Sequence, residues 1–147
     1  MLVRLLYGSR ACQPAEPGLV DAIVATSVER NPAHGITGVL CYGNGIFMQA
    51  LEGSRMEVSR LYQAILRDPR HEDIILLHYG EILEREFSGW AMGRVNTSKV
   101  NTATMLKYST RAELDPYGTS GRASLALLTE LIAGASIVAR TSERKSF

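Results

Sequence analysis

Two stretches of the chain alternate with the period of a β-strand. Residues 2–8 and 46–51 each direct every second side chain to the same face. In the sheet that these strands are predicted to join, one face would be covered by the two helices described below. The residues predicted to lie on this helix-covered face are Val3, Leu5, Tyr7, Phe47, Gln49 and Leu51. The opposite face is predicted to carry Leu2, Leu6, Ile46, Met48 and Ala50. A primary amide at Gln49 would therefore be buried, where it needs hydrogen-bond partners.

Helical periodicity follows the first of these strands. Residues 17–32 predict a helix, because Pro17 suits a first turn and Pro32 keeps its predecessor out of helical geometry. The side chains of one stripe of this helix are predicted to point inward, namely those at positions 20, 23, 24, 27, 28 and 31.

A hairpin and a second helix come next. Strands at residues 35–42 and 46–52 flank Asn44-Gly45, which is typical of a tight hairpin turn. Ser54, followed three residues later by Glu57, forms a capping box that predicts a helix start. Asp68-Pro69 is predicted to end that helix.

The order of the elements indicates the fold class. Two more strands are predicted at residues 73–82 and 88–95, which gives βαββαβ with an extra strand. This order predicts an α+β, ferredoxin-like sheet with both helices on one face. The following segments are predicted to be a short helix at 102–109, an apolar helix at 122–140 and a frayed tail at 141–147. We therefore divide the chain into a domain, residues 1–96, and a helical extension, residues 97–147, on the other sheet face.

Composition excludes several classes of function. The 147 residues carry a net charge of +1, so no strong field favours nucleic acid or an anionic membrane. The only cysteines, Cys12 and Cys41, form no CxxC motif, and the three histidines show no metal-ligand spacing. The chain start is too short for a signal peptide, and no apolar run is long enough to cross a bilayer. We expect a cytoplasmic protein without a metal.

One polar group of residues could carry chemistry. Common nucleotide-binding and hydrolase motifs are absent, whereas Tyr7 and Gln49 can touch if the first and third strands are neighbours. Ser27 and Asn31 follow Ile23 at spacings of four on the inner side of the first helix. These residues can line a small-molecule cleft. Alternatively, Tyr7 and Gln49 can be a hydrogen-bonded pair in an ordinary core, with Ser27 and Asn31 bonded to the nearby backbone. The residues alone leave both interpretations open.

Four segments resemble the BLUF family of blue-light sensors, which bind flavin adenine dinucleotide (FAD). They are "RLLYGSR", "RNPAHGITGVLCYGNGIFMQALEG", "DPRH" and "SGWAM". The resemblance covers about residues 1–96, in the family's order and spacing. The C-terminal part is similar to that of the short, single-domain members of the PixD type, which have no enzymatic output domain.

The resemblance implies a role for each site residue. The flavin ring would lie between Ile23 and Ile65, with Tyr7 as the electron and proton donor and Gln49 as its bridge to the flavin. Asn31 would bind the amide edge of the ring. Further cofactor contacts are expected from Ser27, Asp68 and His71.

The resemblance also implies a mechanism and an output. Light would leave Gln49 rotated or tautomerised, and Trp90 and Met92, two apart on the predicted fifth strand, would share a face and transmit the change. Which of the two lies beside Gln49 is left open. Two departures from many relatives, Arg30 for a second Asn and Ala64 for a basic residue, could alter the flavin contacts.

The implied protein is not an enzyme and signals to a separate partner protein, with self-association expected. Two other classes of function compete with this one. A flavin-dependent redox enzyme would need an open substrate cavity beside the flavin. A flavin-free ferredoxin-like interaction module would use the Tyr7–Gln49 pair for structure alone.

Overall fold

The structure of the protein is a computed structural model. It describes residues 1–13, 17–95, 97, 100–134 and 137–139, with residues 17 and 137–139 described by backbone alone. The strands are β1 (Leu2–Ala11), β2 (Thr37–Gly43), β3 (Ile46–Ser54), β4 (His71–Ile82), β5 (Gly93–Val95) and β6 (Ile137–Ala139). The helices are α1 (Pro17–Arg30), α2 (Arg55–Leu66), α3 (Thr102–Tyr108) and α4 (Gly121–Ala133), with a 3-10 turn at Asn31–His34.

The strands form one sheet in the order β4-β1-β3-β2-β5-β6. Neighbouring strands are antiparallel, except that β5 runs parallel to β2. The first four strands in this order reproduce the ferredoxin-like arrangement, so the predicted α+β fold class is confirmed. Its central pair, β1 and β3, carries the two strand patterns that alternate most clearly.

Local sequence signals explain how the elements around this pair begin and turn. Asn44 and Gly45 have φ angles of 52° and 78°, the left-handed geometry that a tight hairpin turn requires. The Ser54 hydroxyl accepts a hydrogen bond from the Glu57 backbone N–H, so the predicted cap of α2 is confirmed. Both signals place the β2–β3 hairpin and α2 as predicted.

The sheet separates two apolar cores. On one face, α1 and α2 cover a core that includes Leu5, Tyr7, Phe47 and Leu51. On the other face, α3 and α4 cover a core that consists of Leu6, Val39, Cys41, Ile46, Met48, Ala50, Phe87, Val95, Met105, Leu114, Leu127, Leu128 and Leu131. The predicted assignment of alternating residues to the two faces is confirmed for both central strands. No helix within the described ranges is long and apolar enough to cross a membrane.

The predicted strand at residues 88–95 is wrong over most of its length. Only Gly93–Val95 pairs in the sheet, and residues 83–92 form turns and bends. The Asn31 side chain donates to the Ala91 carbonyl, and the Gly38 N–H donates to the Trp90 carbonyl. These contacts hold an irregular path that no alternating pattern describes.

The predicted helix at residues 122–140 is also wrong at its C-terminal end. Helix α4 ends at Ala133, where the Gly134 N–H donates to the Glu130 carbonyl. Ile137–Ala139 instead pairs with β5 as a sixth strand. β-branched residues favour strands, and a helix commonly ends at glycine, so the apolar content alone was misleading. The tail predicted at 141–147 lies outside the described residues.

Candidate functional site

A cavity of about 220 Å³ lies between α1 and α2, above the central strands. Ile23 of α1 and Ile65 of α2 line its sides, and Tyr7, Phe47 and Gln49 line it from the sheet. Apolar walls with a few polar groups on the floor are typical of a site for a small organic ligand. The predicted position of a cleft between the helices therefore agrees with the structure.

Tyr7 and Gln49 form a buried hydrogen bond on the cavity floor. They are register partners on β1 and β3, and the Tyr7 hydroxyl donates to Gln49 Oε1 over 2.5 Å. Burial raises the pKa of Tyr7 well above its ordinary value, and the nearby Tyr62 and Asp68 raise it further. The phenol is therefore neutral and available as a donor. This bond gives the buried amide oxygen the partner it needs.

The Gln49 amide has a second partner, Met92. Its Nε2 donates to the Met92 sulfur over 3.5 Å, and Met92 is fully buried in the core that contains Tyr7. Trp90 packs instead against the core on the opposite sheet face. The expectation that Trp90 and Met92 share a face of a strand is therefore wrong, because both precede β5 and their segment is irregular. In this structure Met92 is the one beside Gln49.

The polar residues of the first helical stripe bond to backbone carbonyls. Ser27 Oγ donates to the Ile23 carbonyl over 3.0 Å, within α1. Asn31, which lies in the 3-10 turn just after α1, donates from Nδ2 to the Ala91 carbonyl over 2.8 Å. Asn31 thereby fastens the segment that carries Met92 to the end of α1. Ser27 lines the cavity, whereas Asn31 is not among its lining residues.

Asp68 and His71 lie at the α2 end of the cavity. Asp68 forms a two-pronged ion pair with Arg70, whose hydrogen bonds lower the pKa of that carboxyl below its ordinary value. The His71 ring bridges Ser9 Oγ and the Ile65 carbonyl, each over 2.7 Å. Because a carbonyl only accepts, Nε2 carries a proton, and the ring ties β1 to the last turn of α2.

Other cavity residues were not singled out from the sequence as site residues. Phe47 and Leu61 line it as members of apolar patterns that looked like ordinary core, and Arg70 lines it from a turn. Arg30 and Ala64, noted only as departures from relatives, also line it. Among the described residues no carboxylate lies within ion-pair distance of Arg30. A phosphate-bearing ligand would meet a cationic group there.

The residues present fit a flavin. A planar ring needs apolar surfaces on both sides, which Ile23 and Ile65 provide from opposite helices. Its polar edge needs hydrogen-bonding groups, which the cavity offers at Tyr7 and Gln49. These are properties of this chain's own side chains.

Several curated proteins are similar over about three-fifths of the chain. Photoactivated adenylate cyclase subunit beta of Euglena longa is 41% identical over 86 residues, which are 58% of this chain and 10% of that protein. The Euglena gracilis subunit beta is 39% identical over 92 residues, 62% of this chain and 11% of that protein. The chain thus spans about a tenth of the length of these relatives.

Solved structures match over much more of the chain. The structure described as the BlsA photo-activated state is 32% identical with a TM-score of 0.78, and the match covers 96% of this chain and 99% of that one. The dark-state structure of BlrB, described as a BLUF protein, is 30% identical with a TM-score of 0.75, covering 91% and 96%. The described fold is therefore shared with both of these structures.

The family comparison agrees with both. Residues 2–93 match the family described as BLUF, sensors of blue-light using FAD. These residues include the complete β4-β1-β3-β2 sheet, both helices of the cavity and the Tyr7–Gln49 pair. The chain belongs to the BLUF family of flavin-based blue-light sensors.

Proposed function

We propose that this chain binds FAD between α1 and α2 and reports blue light by rearranging the hydrogen bonds of Gln49. The reaction starts when Tyr7 loses an electron and a proton. The observation that carries the proposal is the 2.5 Å bond from the Tyr7 hydroxyl to Gln49 Oε1 on the floor of a cavity with apolar walls. A redox-active phenol and a reorientable amide are in direct contact there.

Different residues of the cavity would contact different parts of the cofactor. Ile23 and Ile65 would pack on the two faces of the ring, and Gln49 would bond its polar edge. Asn31 would also bond this edge, although it does not line the cavity here and its Nδ2 donates to the Ala91 carbonyl. Arg30 would face the phosphate groups beyond the ring, because the 220 Å³ cavity is far too small for a whole dinucleotide. Asp68 is paired with Arg70, so its role in cofactor binding would be to hold the Arg70 side chain in place beside the cavity.

Bound FAD would supply the absorption of blue light and an excited state that accepts an electron. Tyr7 is neutral, because burial disfavours the tyrosinate. Loss of an electron makes the phenol a strong acid, so its proton leaves along the existing bond toward Gln49 Oε1. Return of the electron and the proton restores Tyr7, and no atom of the chain is consumed.

The orientation of the Gln49 amide would stay changed after the electron and the proton have returned to Tyr7. In the structure its oxygen faces Tyr7 and its nitrogen faces the Met92 sulfur. A half-turn of the amide would present the nitrogen to Tyr7 and the oxygen to Met92, with almost the same shape. An amide that can use either end gives two states of similar energy, which a switch requires.

The output would pass through the sheet to the C-terminal extension, residues 97–147. Gly8, next to Tyr7 on β1, contacts the buried Pro116 of that extension, and Gly121 at the start of α4 packs on the backbone of Leu77. We assign residues 1–96 to light detection and the extension to signalling toward a separate partner protein. In this proposal the chain self-associates and has no enzymatic activity of its own.

Substitution at the two central residues tests the mechanism. Tyr7→Phe and Gln49→Leu should each keep the flavin, because the apolar walls remain, and each should lose the light-induced absorption shift. Tyr79→Phe is the matched control, since Tyr79 is half-exposed on β4 and does not line the cavity. A normal photocycle in either cavity variant would contradict the role assigned to that residue. Steady NAD(P)H turnover in the dark would instead favour a redox enzyme.

A further inference from the structure

A buried carboxylate on β3 holds the segment that carries Met92. Glu52 is 0% exposed, and its Oε2 accepts from Arg4 Nε over 2.8 Å and from Arg4 Nη2 over 2.7 Å. Its Oε1 accepts from the backbone N–H groups of Glu86 over 3.0 Å and Phe87 over 2.9 Å. Glu52 therefore joins two strands to the segment of residues 83–92, which has no strand or helix of its own.

A second cation reinforces this attachment. Arg85 donates to Thr37 Oγ1 over 2.9 Å, to the Glu52 carbonyl over 3.2 Å and to the Gly35 carbonyl over 2.7 Å. The Arg4 guanidinium also lies 5.8 Å from the centre of the Phe87 ring. The start of the segment is thus fixed by charge-assisted bonds, which are stronger than neutral ones.

By contrast, the contact between Met92 and Gln49 is weak. A thioether is a poor acceptor, and the N–S distance is 3.5 Å. Gln49 therefore does not determine where Met92 lies. Other contacts hold the segment on both sides of Met92: Glu52 bonds its start, Gly38 and Asn31 bond Trp90 and Ala91, and β5 begins at Gly93.

We propose that Glu52 is a positioning residue of the photoresponse, which keeps Met92 beside Gln49 and thereby shortens the lifetime of the rotated amide. This rests on the proposed function. With Met92 fixed, the amide in the structure donates to sulfur, whereas the rotated amide points its oxygen lone pairs at sulfur lone pairs. A loosened segment would relieve that repulsion, so the light state would decay more slowly.

The test is Glu52→Gln, compared with Glu81→Gln as the matched control. Glu81 also pairs with an arginine, Arg55, over 2.7 Å, but it is exposed on β4 and its partner lies on α2 and not in residues 83–92. We expect Glu52→Gln to slow dark recovery about three- to tenfold. This range corresponds to the loss of one weak polar contact, that of the amide N–H with the Met92 sulfur, and of the oxygen–sulfur repulsion in the rotated state. Glu81→Gln should recover within about twofold of the unmodified chain.

A second readout does not depend on the photocycle. Amide hydrogen exchange of residues 86–92 in the dark should accelerate about tenfold or more in Glu52→Gln and stay unchanged in Glu81→Gln. If Glu52→Gln does not fold, Arg85→Gln takes its place, since Arg85 is only partly buried and should change both readouts in the same direction. Unchanged exchange, or faster exchange with unchanged recovery, would overturn the proposal. Absence of any light-induced shift in the unmodified chain would instead refute the proposed function.

Discussion

Replacing Gly8 by alanine tests how closely the C-terminal extension packs on the strand that carries Tyr7. A Cβ atom added at Gly8 would lie 2.5 Å from Cβ and 2.7 Å from Cγ of Pro116. Both distances are shorter than any van der Waals contact, and a proline ring has no long flexible arm that could move away. Either β1 or the segment around Pro116 must therefore shift.

The size of the effect follows from this overlap. Extra methyl groups in a well-packed core typically cost about 1–3 kcal/mol. Alanine would otherwise be favoured over glycine in a strand by about 0.5–1 kcal/mol. The difference between these two terms is about 0–2.5 kcal/mol. Because the proline ring cannot move aside, we expect Gly8→Ala to lower the free energy of unfolding by about 1–2 kcal/mol, within the upper part of this range. Gly18→Ala is the control, because an added Cβ meets nothing within 4 Å, and it should be neutral or slightly stabilising.

Urea denaturation followed by circular dichroism measures both variants. The pair Gly8→Ala and Pro116→Gly should couple, since glycine at 116 removes the two proline atoms that the new methyl group would overlap. The double variant should be less destabilised than the sum of the single variants by about 1 kcal/mol or more. Additive effects, or a Gly8→Ala protein as stable as the unmodified chain, would refute the packing argument.

Three other changes have defined outcomes. Arg30→Ala should weaken the binding of FMN and FAD about three- to tenfold and leave the binding of riboflavin, which has no phosphate, unchanged. Fluorescence titration measures the three affinities, and Arg67→Ala is the control. An equal loss of affinity for FMN, FAD and riboflavin would exclude a phosphate contact. Burial raises the pKa of the Cys41 thiol from 9.0 to about 12. The thiol therefore loses its proton at lower pH in the unfolded chain than in the folded one, and the free energy of unfolding falls as the pH rises above about 9. Cys41→Ala should flatten the fall in urea midpoint between about pH 9 and 10, and an equally steep fall would contradict this assignment. Met92→Leu keeps the volume but removes the sulfur acceptor, so dark recovery should slow a few-fold; unchanged recovery would remove Met92 from the mechanism.

The face on which each strand residue lies could be predicted from the sequence, because strand alternation is strict. Alternation predicts that Tyr7 shares a face with Val3 and Leu5, and the element order predicts that helices cover this face. The direct pairing of Tyr7 with Gln49 followed from the ferredoxin-like strand order, which makes β1 and β3 neighbours. The capping box at Ser54 and the turn at Asn44-Gly45 are equally local signals, and both are confirmed.

The segment before β5 could not be predicted in this way. Its path is set by side chains far away in sequence, such as Glu52, whose partner Arg4 lies 48 residues earlier. A charged residue at the end of an apolar strand is usually exposed, and only the fold shows that Glu52 is buried and paired. The opposite positions of Trp90 and Met92 follow from the same irregular path.

The absorption spectrum of the purified protein, recorded in the dark and after blue light, tests the central claim most directly. The account predicts a yellow protein whose flavin band shifts slightly to longer wavelength in light and returns in the dark. The shift should depend on the Tyr7–Gln49 bond, so it should be absent from Tyr7→Phe protein with bound flavin. A protein that takes up no flavin, or a flavin-loaded protein with no reversible shift, would contradict the account.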